Sequence, residues 1–232
     1  MNKVFLSCFV FLFCIAEQIT PIDFSYLKEK MPKLNPQLLD IHIKLYEGYV
    51  QQVNFIDESS NKSSDPFMKQ SLRKQYGFEY DGMRLHELYF GQLGGKGDGK
   101  LKVRILNKII EQYGSVENFI LEVKSYAKTR GIGWVILFGD INNGELKLSW
   151  IQEHEKGFLS GWVPVVVVDL WEHAYISQFA LNKDSYVDLC FEYIDWNVVN
   201  LRYTNGCKST KTAYKKYSRK SVVTSESESK EL

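Results

Sequence analysis

The chain has 232 residues, of which 44% are hydrophobic and 25% charged, and its formal net charge at pH 7 is +1. This composition is typical of a folded globular protein and excludes a disordered or collagen-like chain. The near-zero net charge gives no electrostatic basis for binding nucleic acid or an anionic membrane surface, so neither partner is expected.

The N-terminus has the pattern of a signal peptide. Lys3 is followed by an apolar run from Val4 to Ala16, and the polar chain begins at Glu17. About a dozen apolar residues after a positive charge are typical of export, and they are short of the roughly 20 residues of a membrane span. We predict a signal peptide over 1–16, a secreted, periplasmic or cell-envelope location, and no stable membrane span after cleavage. An uncleaved anchor is the alternative.

Residues 22–93 are predicted to form an N-terminal helical hairpin domain. Apolar and aromatic residues recur every three or four positions over 36–54, as they do on one face of a helix. The polar segment 58–66 predicts a surface loop, and a second helix is expected over 67–93. The five glycines within 91–99 lack the preceding strand and the Lys-Ser/Thr pair of a phosphate loop, so this segment is interpreted as a flexible connection.

Residues 101–205 are predicted to form a C-terminal α/β domain. A helical segment over 101–128 divides at Gly114, and helices resume after Trp171. Between them the period changes, and Asn142-Asn143-Gly144 is a strong hairpin signal. The last residues, 206–232, are too polar to pack and predict a disordered tail. The expected strands are 133–138, 145–150 and 163–168.

Together these patterns predict an α+β fold, in which an N-terminal helical hairpin is followed by a three-stranded antiparallel sheet flanked by helices. The chain is long enough for one globular unit with a sizeable core.

The histidines are few and their positions are informative. His42 and His86 lie in the two predicted N-terminal helices, and His173 follows Asp169 by four residues. Each of these histidines has apolar or aromatic neighbours, where an unpaired imidazole is costly to bury. Asp169 ends a run of valines and needs a cation or several donors to stay ionised. A hydrogen-bonded core histidine is the alternative at each single position, but the set together indicates a metal site.

The segment Asp169-Leu170-Trp171-Glu172-His173-Ala174-Tyr175 resembles the Asp-x-Trp-Glu-His-Ala-Tyr signature of the iron/manganese superoxide dismutases. The resemblance extends over 24–203. Residues 131–134 are similar to the family's entry to its sheet, 85–90 to its second ligand helix, and 194–199 to its Asn-Trp-Glu-Val segment.

The resemblance implies an enzyme that disproportionates superoxide to oxygen and hydrogen peroxide, with one iron or manganese ion per subunit cycling between M(III) and M(II). Three imidazoles and one carboxylate suit either metal. By the resemblance, the metal ligands are His42, His86, Asp169 and His173.

The resemblance also implies roles around the metal. Tyr49 would stand at the substrate entrance, and Trp134 and Trp171 would line the metal pocket. Glu172 would hydrogen-bond His173 of the partner subunit, which makes a homodimer the expected assembly. The glutamine that tunes metal-bound water in relatives has two counterparts here, Gln152 and His154, and the spacing to Asp169 favours His154. For Trp134 and Trp171, plain core packing is the alternative.

The chain departs from the family pattern at several positions. His42 precedes Tyr49 by seven residues instead of the usual eight. Seven residues close nearly two turns of about 3.6 residues each, so a regular helix still places both on one face. If the offset displaces the ligand instead, Ile41 takes its place and the site is broken. Leu45 and Ile176 replace a usual histidine and tyrosine. These changes motivate the alternative of a catalytically degenerate, secreted interaction protein.

Overall fold

The computed structural model describes residues 18–99, 101 and 103–207, so the predicted signal peptide and residues 208–232 lie outside the described chain. A helical N-terminal part is followed by a sheet and further helices, which confirms the predicted α+β fold. A single 3-10 turn, Glu172–Ala174, follows the last strand. The helices are α1 Leu27–Lys30, α2 Pro36–Lys62, α3 Pro66–Gly91, α4 Arg104–Tyr113, α5 Val116–Ala127, α6 Ile176–Phe179, α7 Lys183–Glu192 and α8 Trp196–Gly206; the strands are β1 Gly133–Asp140, β2 Leu146–Gln152 and β3 Trp162–Asp169.

The two long helices α2 and α3 form the hairpin, and both begin with a capping residue followed by proline. The Asn35 side chain accepts from the backbone N–H of Gln37, and the Asp65 side chain accepts from that of Phe67. Proline suits the first helical position because its missing N–H would have no partner there. α3 continues without interruption through both of its internal glycines.

The surface loop predicted over 58–66 is wrong in extent. α2 continues to Lys62, so the connection shrinks to Ser63, Ser64 and Asp65. Polarity indicated solvent exposure but not the end of the helix. Lys62 pairs with Glu58 one turn earlier, which favours continuing the helix.

The three strands form one antiparallel sheet in the order β2-β1-β3. The turn between β1 and β2 is built on Asp140, whose carboxylate accepts from the backbone N–H groups of Asn142 and Asn143. Gly144 then adopts φ of +76°, which glycine reaches without the steric cost that other residues meet. The hairpin predicted from Asn142-Asn143-Gly144 is therefore confirmed.

One continuous apolar core joins the helical hairpin to the sheet. It contains Leu38 of α2, Met83 of α3, Val135 of β1 and Val167 of β3. α3 packs on α2 along one side and on β3 along another, so residues of three separate elements meet at the centre of the molecule. Within the described residues, no helix is both long enough and apolar enough to cross a bilayer.

Candidate metal site

Four of the predicted site residues come together where α2, α3 and the end of β3 meet. His42 lies on α2, His86 on α3, Asp169 ends β3, and His173 lies in the 3-10 turn that follows. Each offers one ligand atom, and these four atoms all lie within 4.8 Å of one another. Three of the residues are buried and His173 is partly exposed, so the cluster is closed on most sides.

The three imidazoles surround a single carboxylate oxygen. Oδ2 of Asp169 lies 3.0 Å from Nε2 of His42, 3.2 Å from Nε2 of His173 and 3.6 Å from Nε2 of His86. The other oxygen, Oδ1, accepts from the backbone N–H of Trp171 at 2.8 Å. One carboxylate oxygen is thus held by the backbone while the other faces the ring nitrogens.

His86 is oriented as a metal ligand requires. Its Nδ1 lies 2.6 Å from the carbonyl oxygen of Gly82. A carbonyl only accepts, so Nδ1 carries the hydrogen and Nε2 keeps its lone pair. That Nε2 is buried and has no hydrogen-bond partner among the described residues. A buried nitrogen lone pair aimed at a carboxylate fits a cation between the two, so the donor set fits a bound metal ion.

Burial and charge set the ionisation of the cluster. Burial opposes the ionised form of Asp169, but the charge and hydrogen bonds of His173 and His42 outweigh it and hold the pKa of Asp169 well below 3.8. Burial lowers the pKa of His42 below 6.5 and that of His86 well below it, against the attraction of Asp169. At neutral pH the site therefore offers a carboxylate and at least two neutral imidazoles, the states that bind metals.

His42 occupies its place in spite of the seven-residue spacing to Tyr49. α2 is a regular α-helix through this region, so the two residues share a face. Ile41 is 61% exposed and turned away from the cluster, whereas His42 is buried. The alternative in which Ile41 takes the ligand position is therefore wrong.

A hydrogen-bonded chain runs beside the cluster through Trp134, His154 and Tyr49. Trp134 Nε1 donates to His154 Nδ1 at 3.0 Å, so His154 Nδ1 is the acceptor and its Nε2 carries the hydrogen. That Nε2 lies 2.7 Å from the hydroxyl of Tyr49, which it reaches as donor. Burial lowers the pKa of His154 to about 4 and raises that of Tyr49 above 10, so both are neutral at pH 7.

Gly82 leaves room for the Tyr49 ring, which is part of the hydrogen-bonded series Trp134–His154–Tyr49. A Cβ at position 82 would lie 2.9 Å from two ring carbons of Tyr49, closer than such contacts occur. The Tyr49 ring therefore packs against the backbone of α3, and its hydroxyl reaches His154. The absence of a side chain at position 82 leaves the space that the Tyr49 ring occupies.

The remaining predicted residues divide into those that surround the cluster and those that do not reach it. The Trp171 ring stacks on His154 at 4.6 Å between centroids, and the Trp134 ring meets His86 edge-on at 5.1 Å. Gln152 is exposed at the end of β2 and makes no side-chain hydrogen bond to the cluster within the described chain. Residues alternate across a strand, so Gln152 faces away while its neighbour Ile151 is buried. Glu172 is exposed beside His173.

One residue of the site has no counterpart in the sequence-based prediction. The ring of Phe78 lies 4.6 Å from His154 and 6.4 Å from Trp171, measured between centroids. Its signal was present in the sequence, because Phe78, Gly82 and His86 are spaced by four residues and share one face of a helix.

Comparisons with known proteins agree with this arrangement. Residues 101–202 match the family model for "Iron/manganese superoxide dismutases, C-terminal domain". The chain is 33% identical over 173 residues to the "Superoxide dismutase [Fe]" of Aquifex aeolicus, a match that covers 71% of this chain and 81% of the relative. It is 29% identical over 204 residues to the "Superoxide dismutase [Mn/Fe]" of Aeropyrum pernix, which covers 85% of this chain and 95% of the relative.

Proposed function

Because the chain belongs to the iron/manganese superoxide dismutase family, we propose that it is a superoxide dismutase with one iron or manganese ion per chain. The observation that carries the proposal is the convergence of four ligand atoms within 4.8 Å, while the buried Nε2 of His86 has no hydrogen-bond partner in the described part of the chain. When bound, such an ion supplies the one-electron oxidation and reduction by which one superoxide becomes oxygen and a second becomes hydrogen peroxide.

The ligand residues set the charge and geometry of the site. His42, His86 and His173 present Nε2 to the centre, and the Asp169 carboxylate contributes one negative charge. The backbone fixes two of them, because Gly82 accepts from His86 and Trp171 donates to Asp169. Such outer contacts hold ligands in position and tune their basicity.

Tyr49, held in place by His154, puts a hydroxyl proton donor beside the site, and the formation of hydrogen peroxide needs two protons. Nε2 of His154 donates to the Tyr49 oxygen, so the hydrogen of the Tyr49 hydroxyl is left to donate onward. Tyr49 is partly buried, its ring lies 6.2 Å from that of Phe78, and Phe78 in turn lies 6.4 Å from Trp171, so its surroundings are largely aromatic. We assign Tyr49 to the entrance through which the small anion reaches the site.

We also propose that the chain is exported and forms a homodimer. The export proposal is based on the apolar run from Val4 to Ala16 behind Lys3. For the dimer, Glu172 is exposed next to His173 in the 3-10 turn, and α2 packs against this turn; Leu45 of α2 and Ile176 of α6 are 36% and 44% exposed. Two apolar side chains beside a carboxylate suit an interface between copies of the chain. The mass of the mature protein shows whether residues 1–16 are removed. Sedimentation analysis shows whether the chain forms a dimer.

The function is tested by superoxide consumption, measured on protein reconstituted with manganese or iron. We expect activity in the wild type and its loss in the His173→Ala variant, because one of the four ligand atoms is removed. Phe67→Ala is the control, since Phe67 is 75% exposed at the tip of the hairpin and far along α3 from the site. Stoichiometric metal without activity in the wild type would contradict the proposal and favour the degenerate interaction protein.

A further inference from the structure

Gln92 is a buried polar residue that contacts no ligand, yet it joins two elements that carry ligands. It directly follows α3 and is 1% exposed. Its side-chain amide spans the backbone of Val167 in β3: Oε1 accepts from the N–H of Val167 at 3.1 Å, and Nε2 donates to the carbonyl of Val167. Among the described strands β3 pairs only with β1, so the Gln92 amide satisfies the outer edge of β3 as a neighbouring strand would.

The place of this contact links it to the cluster. Val167 precedes Asp169 by two residues on the same strand, and Gln92 follows His86 by six on the segment that ends α3. We propose that Gln92 is a positioning residue, which fixes the Asp169 carboxylate relative to the Nε2 of His86. The proposal rests on the metal site of the proposed function and extends it to a residue outside the ligand set.

Arg202 of α8 fixes the orientation of the Gln92 amide. Its Nη1 lies 3.3 Å from Oε1 of Gln92, and its Nη2 donates to the carbonyl of Leu88 at 2.6 Å. Two donors, Arg202 and the Val167 N–H, therefore converge on Oε1. If the amide flipped, its NH₂ group would face these two donors instead of an acceptor. The NH₂ group therefore stays directed at the carbonyl of Val167. The backbone carbonyl of Gln92 also accepts from Asp195 at 2.7 Å, which holds the segment in place.

The contact requires one donor and one acceptor on a single flat group, which glutamine supplies. Glutamate has the same shape and keeps an acceptor for the Val167 N–H, but its carboxylate cannot donate to the Val167 carbonyl. Leucine has neither function. The two substitutions thus remove one or both halves of the contact while the side chain stays close to its original size.

The opposite edge of the sheet provides a control that has the same pair of hydrogen bonds on an exposed side chain, Gln112, so the release rate of each variant is compared together with its melting temperature. Gln112 of α4 makes the same contact with Leu146 of β2: its Nε2 donates to the Leu146 carbonyl at 2.7 Å, and its Oε1 accepts from the Leu146 N–H at 3.2 Å. No member of the metal cluster lies on β2. Gln112→Leu therefore removes the same pair of hydrogen bonds from the same sheet at the strand that carries no ligand.

The experiment compares metal release and electronic structure in the full chain. Wild type, Gln92→Leu, Gln92→Glu and Gln112→Leu are loaded with manganese, and transfer of the metal to a chelator is followed together with the Mn(II) electron paramagnetic resonance spectrum. We expect Gln92→Leu to release manganese about tenfold faster than wild type and to alter the spectrum, as changes to groups that orient ligands do. The release rate of Gln92→Glu should lie between those of wild type and Gln92→Leu. The release rate of Gln112→Leu should stay within about twofold of wild type, and its spectrum should be unchanged.

If Gln92→Leu releases manganese no faster than Gln112→Leu, or faster only to the extent that it melts at a lower temperature, the proposal is overturned, because the effect would then not depend on the strand that carries Asp169. The proposal is also overturned if Gln92→Glu releases manganese at the wild-type rate and Gln92→Leu does not fold. That result would show that Gln92 has a purely structural role. A wild type that binds manganese but does not consume superoxide would contradict the proposed function alone, and the release comparison would still decide the role of Gln92. A wild type that binds no manganese would overturn both.

Discussion

The contact between Gly82 and Tyr49 gives a prediction whose sign can be worked out from the structure. In Gly82→Ala the new Cβ meets two carbons of the Tyr49 ring at 2.9 Å. Overpacking of this kind costs typically about 1–3 kcal/mol. Replacing glycine by alanine within a helix contributes up to about 1 kcal/mol in the opposite direction. The net effect is a loss of roughly 0–3 kcal/mol.

Gly77 separates the two contributions. It lies on the same helix, and a Cβ placed there meets nothing within 4 Å. Gly77→Ala should therefore gain the helix contribution alone, up to about 1 kcal/mol. The difference between the two variants is the overpacking cost, and for a chain of this size each kcal/mol shifts the melting temperature by roughly 2–4 °C.

The assay is thermal unfolding of both variants beside the wild type, followed by superoxide consumption at equal metal content. Gly82→Ala should melt below Gly77→Ala by at least a few degrees. Its activity should fall while its metal remains, because the displaced Tyr49 hydroxyl no longer sits 2.7 Å from His154. If Gly82→Ala has the same melting temperature as Gly77→Ala and keeps full activity, the Tyr49 ring does not pack against Gly82 as described.

Three further predictions concern His154 and the metal. His154→Phe should retain metal but lose about 10–100-fold in activity because the contacts to Trp134 and Tyr49 are removed, whereas His154→Gln should lose less; metal analysis with kinetics checks both. Since the folded-state pKa of His154 is about 4 and the unfolded value about 6.5, His154 alone should contribute up to about 1.4 kcal/mol per pH unit to the stability that the metal-free protein loses as pH falls from 6.5 to 4, and His154→Gln should reduce the slope by that amount in urea unfolding. Manganese at about 1,000 times its dissociation constant should raise the free energy of unfolding by about 4 kcal/mol, and a melting temperature independent of manganese would contradict binding to the folded state.

The sequence predicts the elements of this fold well because their signals are local. The period of α2 and α3, the Asn142-Asn143-Gly144 turn and the valines of β3 each indicate their structure within a short window. The end of α2 was misplaced since polar residues such as Glu58 and Lys62 suit an exposed helix and a loop equally well.

The site was less predictable than the fold, because its contacts join residues far apart in the chain. The spacing to Asp169 favoured His154 over Gln152, but only the structure shows that Gln152 is exposed at the end of β2 while His154 is buried beyond it. The consequence of a glycine at position 82 required knowing that the Tyr49 ring lies against it. The amide of Gln92 gives no local signal at all, since its partner Val167 lies 75 residues away.

The central claim is that four side chains from three parts of the chain hold one metal ion, and anomalous diffraction from crystals of the manganese- or iron-loaded protein tests it most directly. We expect one strong peak within coordination distance of Nε2 of His42, His86 and His173 and of an oxygen of Asp169. A peak elsewhere in the molecule, or an ion at this place that leaves His86 unbound, would contradict it.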